Sequence, residues 1–297
     1  MRLLPILAVI FLCMCTAGCI QSHAEVHENR TIVDAYGVSV DVPRSITRIV
    51  SLAPSETEIV CELGKIDLLV GRTDYCDYPA SVESIQSVGG PKTLGIEAIV
   101  GLKPDLVLAT TVTDSTKIEG LRAMGLPVVV FKLGSVDDIC SNIAIVGEML
   151  DCGDTARQVI GNLHQRRDMV HAASQQAAPV RVLYVLWDDP LTVAGNGTLQ
   201  HDLITIAGGV NLMADVEGYV VVSDEAVVSR NPDVIIVSET HAVDTAPIKG
   251  RLLEKTTLAD ISAIQSGRVY TIEGDLANRP GPRVLEAMEL FASCIHV

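Results

Sequence analysis

From residue 45 onward, short apolar runs alternate with stretches in which apolar residues recur every three or four positions, with turn residues between them. "RIVSLAP" predicts a strand over 49–53, broken at Pro54-Ser55. "SETEIVCELG" then predicts a helix, with Ser55 as its N-cap and Glu58 at the capping-box spacing. "IEAIVGLKPDLVLAT" predicts a short helix, a break at Pro104-Asp105 and a buried strand over 106–109. A helix near 114–124, a strand over 127–131 and a helix over 135–149 continue the alternation. Strands separated by helices at this spacing imply a parallel sheet with both faces covered. Ahead of this body, a polar extended segment holds a hairpin-like stretch over 32–42 around Gly37.

The pattern breaks at Asp151-Cys152-Gly153-Asp154, and a polar helix-favouring segment with His164, Arg166, Arg167 and Asp168 along it runs to about Gln176. It is too polar for a core helix, and its place between two α/β halves suits an inter-lobe strut. The second half then repeats the first: "RVLYVLWDDP" echoes "RIVSLAP", and "DEAVVSRNPDVIIVSE" echoes "IEAIVGLKPDLVLAT". Glu97 and Glu225 hold matched places, each followed by alanine, an apolar pair and then Pro-Asp before a buried strand. Two matched units in one order predict two similar α/β sandwich lobes rather than one large sheet. "GRVYTIEG" and a helix beginning near Pro282 close the second lobe.

Composition narrows what such a molecule does. At 297 residues, 48% of them hydrophobic and 20% charged, the chain can build one large or two medium cores. A formal net charge of −15 with scattered Lys and Arg excludes the basic face that a nucleic acid requires, and 3% aromatics leaves little for base stacking. The beginning reads as an export signal: Arg2, an apolar stretch from Leu3 to Cys15 too short to span a bilayer, then Thr16-Ala17-Gly18-Cys19. Small residues before a cysteine resemble a lipoprotein lipobox, with Cys19 as the lipidated first residue of the mature chain; Thr16 departs from the usual leucine. A soluble form cut after Ala24 is the alternative. Export leaves Cys61, Cys76, Cys140, Cys152 and Cys294, an odd set with no C-x-x-C and none of the local pairs of a zinc site. Cys61 and Cys140 sit at helical spacing among apolar residues, where cysteine is a small buried hydrophobe.

Catalytic hardware is missing. There is no G-x-S-x-G, H-E-x-x-H, Walker A or strand-linked G-x-G-x-x-G, and His23, His27, His164, His171, His201, His241 and His296 are scattered. Asp188 and Asp189 are adjacent and would point to opposite faces of an extended segment; with Pro190 they read as a turn. The expectation is a protein that is not an enzyme and holds no metal or resident cofactor. An exported metal-dependent enzyme using Cys76 and Asp77 of "GRTDYCDYP" is a distant alternative.

Taken together, the lipobox, "SLAPSETEIVCELG", "GRTDYCDYP", "IEAIVGLKPDLVL", "SDEAVVSRNPDVIIV" and "RPGPRVLEAMELF" resemble the substrate-binding proteins of ABC importers for cobalamin and iron chelates, across 45–296. The resemblance implies a signal peptide (1–18), an anchor and approach segment (19–44), a first lobe (45–150), one long linking helix (151–176) and a second lobe (177–297). It implies a ligand cleft between the lobes, with little closure on binding. It implies a monomer that is held extracytoplasmically through a lipid on Cys19 and works with a permease and its ATPase subunits. Glu97 and Glu225 match the glutamates that dock on the permease, and each starts a short helix whose dipole favours a carboxylate. Loops at the carboxyl ends of the strands should supply the ligand contacts: Ser55, Tyr75, Cys76, Asp77, Gly90, Trp187, Asp188, Asn196, Asp275 and Arg279. Of these Tyr75 is the expected aromatic contact, Trp187 a ligand wall and Cys76 an idle thiol. Leu276 stands where cobalamin-binding relatives can carry an aromatic. Because only Arg279 in this set is basic, a near-neutral corrinoid fits better than an anionic siderophore or haem; a ferric siderophore, haem or a metal ion is the alternative ligand.

Overall fold

The computed structural model describes residues 29–174, 178–239 and 247–296. The export signal, Cys19, His23, His27 and His241 lie outside the described residues. The first strands, β1 (Asn29–Val33) and β2 (Ser39–Pro43), form an antiparallel hairpin turned at Gly37, whose φ of +75° suits glycine. This hairpin differs from the expected approach segment, because its alternate residues Ile32, Val40 and Val42 are buried in the core of the body. The Ala35 N–H donates to the Val130 carbonyl, and Arg122 pairs with the buried carboxylate of Asp34, so the hairpin is part of the first lobe.

The first lobe is a four-stranded parallel sheet of β3 (Ile49–Ser51), β4 (Leu69–Arg72), β5 (Leu106–Thr110) and β6 (Val128–Phe131), in the order β4-β3-β5-β6. Its helices are α1 (Pro54–Glu62), α2 (Ile96–Gly101), α3 (Ser115–Ala123) and α4 (Val136–Met149). Ile49, Leu106, Leu108 and Phe131 meet α1 and α4 on one face, while Val50, Val107, Val128 and Val130 meet α2 and α3 on the other. Burial on both faces is why these strands read as unbroken apolar runs. Asp114 caps α3 and Ser135 caps α4. The capping box expected at α1 does not form. Pro54 takes the first helical position, Ser55 falls inside the helix, and its hydroxyl donates to Glu56 instead.

Between the lobes runs α5 (Gly153–Ser174), a helix of 22 residues with only Ala156, Leu163 and Ser174 buried. Its polar side ties both neighbours: Arg167 bonds Asp137 on α4 at 2.8 Å, and Arg166 pairs with Glu289 in the closing helix of the second lobe.

The second lobe has β7 (Val180–Asp188), β8 (Leu191–Ala194), β9 (Gly209–Asn211), β10 (Tyr219–Val221), β11 (Val234–Glu239) and β12 (Val269–Glu273). The strand order is β10-β8-β7-β11-β12, with β9 also beside β7. Here β7, β9, β11 and β12 are parallel but β8 and β10 run against their neighbours, so the sheet is mixed, unlike that of the first lobe. The cause is local. Asp189-Pro190 turns β7 directly into β8, where Pro54 in the first lobe starts a helix. The helices are α6 (Leu199–Ile206), α7 (Asp224–Arg230), α8 (Ile248–Glu254), α9 (Ser262–Gln265), α10 (Gly274–Asn278) and α11 (Val284–Ile295). Leu183, Val185 and Ile235 pack on α8, while Val182, Tyr184 and Ile236 pack on α6 and α11. The Tyr184 and Phe291 rings stack with centroids 5.8 Å apart. The apolar core that holds Ile49 and Ile139 continues into the one that holds Tyr184 and Phe291, so one interior runs through both lobes.

Candidate functional site

The carboxyl ends of the two sheets face each other across a cleft, the position where open α/β sheets present ligand sites. It comprises a larger chamber of about 730 Å³ and a smaller one of about 390 Å³. Val112 and Asn278 line both, so the chambers are continuous. The first lobe contributes Pro54 after β3, Thr73 and Tyr75 after β4, and Val112 after β5. The second contributes Leu186 from β7, Thr198 at the start of α6, Tyr219 from β10, and Asp275, Asn278 and Arg279 around α10.

The expected contacts divide. Tyr75, 59% exposed, and Asp275 and Arg279 line the larger chamber. Gly90 lies beneath Tyr75; a Cβ there would sit 3.4 Å from the ring. Ser55 is not a wall, because it is buried and turned to Glu56, while Leu52, Ala53 and Pro54 face the chamber in its stead. Cys76 is also buried away from the cleft, its Sγ 3.1 Å from Thr73 Oγ1. Burial pushes the Cys76 thiol up in spite of hydrogen bonds from Thr57 and Thr73, so it is neutral and unreactive. Asp77 turns to Arg279 at 2.5 Å, so Cys76 and Asp77 do not converge. Cys61, Cys76, Cys140, Cys152 and Cys294 are all unpaired. Among the described residues no cluster of three His, Cys, Asp or Glu has metal-ligand geometry.

Asp188 is a correction. Its carboxylate is buried and held by Arg251 Nε and Nη2, both at 2.6 Å, which keeps it well below the usual carboxylate range. Arg251 belongs to α8, which covers the sheet face opposite α6 and α11, so Asp188 does not face the cleft. The amide nitrogen of Asn196 is engaged by Glu217 at 2.9 Å, and the following Gly197 and Thr198 line the smaller chamber instead. Trp187 takes the opposite side from Asp188. A register shift after Val185 sets Trp187 opposite Thr192, which in turn lies opposite Val221. Paired residues share a face, and Tyr219 lies two residues from Val221 on that same face. Trp187, 43% exposed, and Val221, 64% exposed, thus share the sheet face of Tyr219 but lie beyond the residues that line the two chambers. Leu276 is buried in α10 and is not a wall.

Behind the larger chamber, an ionic network joins the lobes. Arg279 reaches Asp77 at 2.5 Å, Asp275 at 2.9 Å and Glu58 at 3.8 Å. Arg283 grips both oxygens of Glu58 at 2.7 and 2.9 Å and lies 4.1 Å from the Tyr78 ring centroid. Gly281 permits this approach, since a Cβ there would stand 3.3 Å from Glu58 Oε2. Burial works against the charge of Arg279, but its three carboxylate neighbours outweigh it and its pKa is raised; Arg279 in turn lowers that of Asp77. Among the described residues Arg279 is the only basic side chain lining either chamber, and its charge is already matched.

The network was not legible in the sequence, because Glu58 and Arg283 are 225 residues apart. Nor were Val112 and Tyr219, although a tyrosine on a short strand of a chain with few aromatics was a usable signal.

Glu97 and Glu225 are both exposed, each the second residue of its helix, α2 or α7. Leu94, two residues before α2, lines the larger chamber, and Val221, three residues before α7, shares a sheet face with Tyr219 of the smaller one. Among the described residues neither glutamate has a cationic partner; Glu225 is held low by the Ser223 hydroxyl.

A model of the family described as "periplasmic binding protein" matches residues 49–276. The vitamin B12-binding protein of Vibrio cholerae is 31% identical, covering 86% of this chain and 91% of its own. An uncharacterized ABC transporter substrate-binding lipoprotein of Bacillus subtilis is 30% identical, covering 90% of this chain and 85% of its own. The solved structure of a periplasmic haem-binding protein from Roseiflexus sp. RS-1 superposes with a TM-score of 0.75 at 25% identity, covering 85% of this chain and 100% of that one.

Proposed function

The chain belongs to the periplasmic binding protein family, extracytoplasmic substrate-binding proteins of ABC importers, and on that premise we propose that it captures a corrinoid of the cobalamin type and delivers it to the permease. The observation that carries this reading is the charge of the cleft. Among the described residues that line the two chambers the one guanidinium, on Arg279, is matched by Asp77, Asp275 and Glu58, so none of them offers a free cation to a catecholate siderophore or to haem propionates. What remains, apart from the carboxylate of Asp114, is aromatic and neutral: Tyr75 on one lobe, Tyr219 on the other with Trp187 on the same sheet face beyond it, and Thr73, Thr110 and Asn278 between them. A broad macrocycle fringed with amides needs such flat apolar walls and neutral hydrogen-bond partners. The Vibrio cholerae relative's name supports the same ligand.

Glu97 and Glu225 serve as paired docking points on the permease, one per lobe. Exposed ion pairs contribute only about 0.2–1 kcal/mol each, so they set register and encounter more than affinity. A lipid on Cys19 holds the protein, a monomer with no resident cofactor, at the membrane, as the name of the Bacillus subtilis lipoprotein also suggests. Titration with cobalamin, haemin and a ferric catecholate while following Trp187 fluorescence tests the ligand assignment. Cobalamin should quench saturably and the two anionic ligands should not. Tighter binding of haemin or of the ferric catecholate overturns it.

A further inference from the structure

Asn278 ends α10 where the two chambers meet, and it is half-buried. Its Oδ1 accepts from the Tyr184 hydroxyl at 2.8 Å and from Gln200 Nε2 at 2.9 Å. The orientation of this amide follows from chemistry. Gln200 Nε2 also faces the Ala277 carbonyl at 3.0 Å, and a carbonyl only accepts, so the atom of Gln200 at that place is the nitrogen. The same nitrogen faces Asn278, so the Asn278 atom opposite it is the oxygen. Gln200 Oε1 then accepts from the Tyr219 hydroxyl at 2.8 Å, which completes the chain without conflict. Gln200 and Tyr184 are fully buried.

With Oδ1 turned inward and doubly bonded, the end of the amide that remains is Nδ2, which among the described residues has no partner. Resting on the corrinoid reading above, we propose that Asn278 is a specificity-determining donor that orients the ligand by hydrogen-bonding one of its peripheral amide carbonyls at the junction of the chambers. Gln200 and Tyr184 act as positioning residues, since they hold the amide so that it presents only N–H to the cleft. Tyr219 couples the apolar wall to this donor, because its ring lines the smaller chamber while its hydroxyl anchors Gln200.

The test compares cobalamin affinity of the native protein and of Asn278→Asp by calorimetry at neutral pH, with thermal unfolding of both. The aspartate keeps an oxygen for Tyr184 and Gln200 and replaces the donor by an acceptor. The expected result is a loss of roughly tenfold or more in affinity with little change in unfolding. A second measurement covers a variant that fails to fold: in the ¹⁵N spectrum of the native protein, one proton of the Asn278 side-chain amide should move downfield when cobalamin is added. Native protein that binds cobalamin with an unmoved Asn278 amide, or with undiminished affinity in Asn278→Asp, overturns the inference and leaves the corrinoid reading standing. Native protein that does not bind cobalamin overturns both.

Discussion

The two lobes share a plan but furnish the cleft differently. In the first lobe every strand of the main sheet is parallel and both faces are buried, so strand ends, the turns after them and the first residues of the following helices reach the ligand space: Pro54, Tyr75, Thr110 and Val112 stand there. In the second lobe the Asp189-Pro190 turn replaces a helix by an antiparallel strand, and an open face of β7, β8 and β10 forms the wall. That face carries Trp187, Tyr219 and Val221 on strands rather than on loops. Side chains on paired strands are held more tightly than those on loops, which assigns shape recognition to the second lobe and leaves adaptable contacts to the first.

The sharpest way to break the comparison is at the two points where the lobes are alike. Replacing Glu97 and Glu225 together by lysine should abolish ligand uptake by cells while leaving affinity in solution unchanged. Lost binding by the purified variant would remove both glutamates from the docking role.

Next in size is the junction that makes the lobes one body. Glu58 is almost wholly buried and Arg283 largely so. Arg283→Ala removes both hydrogen bonds to the Glu58 carboxylate and leaves it only Arg279 at 3.8 Å, which should cost about 3 kcal/mol in denaturant unfolding. A loss below about 1 kcal/mol would mean that the α5 strut and the shared core hold the lobes without the network.

One buried acid in each lobe illustrates opposite cases, and pH separates the two. Glu56 in the first lobe is fully buried, its Oε1 has no partner, and burial pushes its pKa from 4.5 up to about 8. Below pH 4.5 it is protonated folded or unfolded and has no effect; as pH rises toward 8 only the unfolded chain ionises it, so stability falls. Glu56→Gln should therefore stabilise by on the order of a few kcal/mol at pH 8 and by nothing at pH 4. Asp188 in the second lobe has the reverse sign, since Arg251 lowers its pKa. Its contribution is present at neutral pH and lost as pH falls through its folded value, so Asp188→Asn should cost roughly 2 kcal/mol at pH 7 and less in acid. Equal shifts at both pH values for either variant would contradict the assignment.

How much of this was legible in the sequence follows the range of the interactions. The strands β5 and β6 and the helices α3 and α4 were readable because apolar runs and helical spacing are local signals; the caps Asp114 and Ser135 emerge from the structure. The docking of the β1–β2 hairpin was not, since alternation shows that Ile32 and Val40 share a face but not what covers it. The capping box at Ser55 looked complete locally, yet Pro54 claimed the first helical position and Arg283 paired with Glu58 across the junction of the lobes behind the cleft. Asn196 fell on an expected loop and Asp188 at the end of β7, and remote partners, Glu217 and Arg251, took their polar groups. Side-chain direction near a site is decided by such distant pairs, which periodicity does not encode.

The smallest expected effect concerns Cys76, whose sequence neighbour Tyr75 lines the chamber while the thiol lies buried against Thr73. Cys76→Ser should change cobalamin affinity by less than about threefold, within the few tenths of a kcal/mol expected of a side chain that does not touch the ligand. A tenfold loss by calorimetry would place Cys76 in the cleft after all.

The account stands on two chambers in which, among the described lining residues, the one arginine is already matched by carboxylates, and a charge series of ligands measures that directly. Calorimetric titration with cobalamin at low and at high ionic strength, in competition with haemin and a ferric catecholate, should give one cobalamin per chain with an affinity that salt leaves unchanged. Preferred binding of an anionic ligand, weakening as salt is raised, would mean that Arg279 or another cation is free to receive it and would contradict the account.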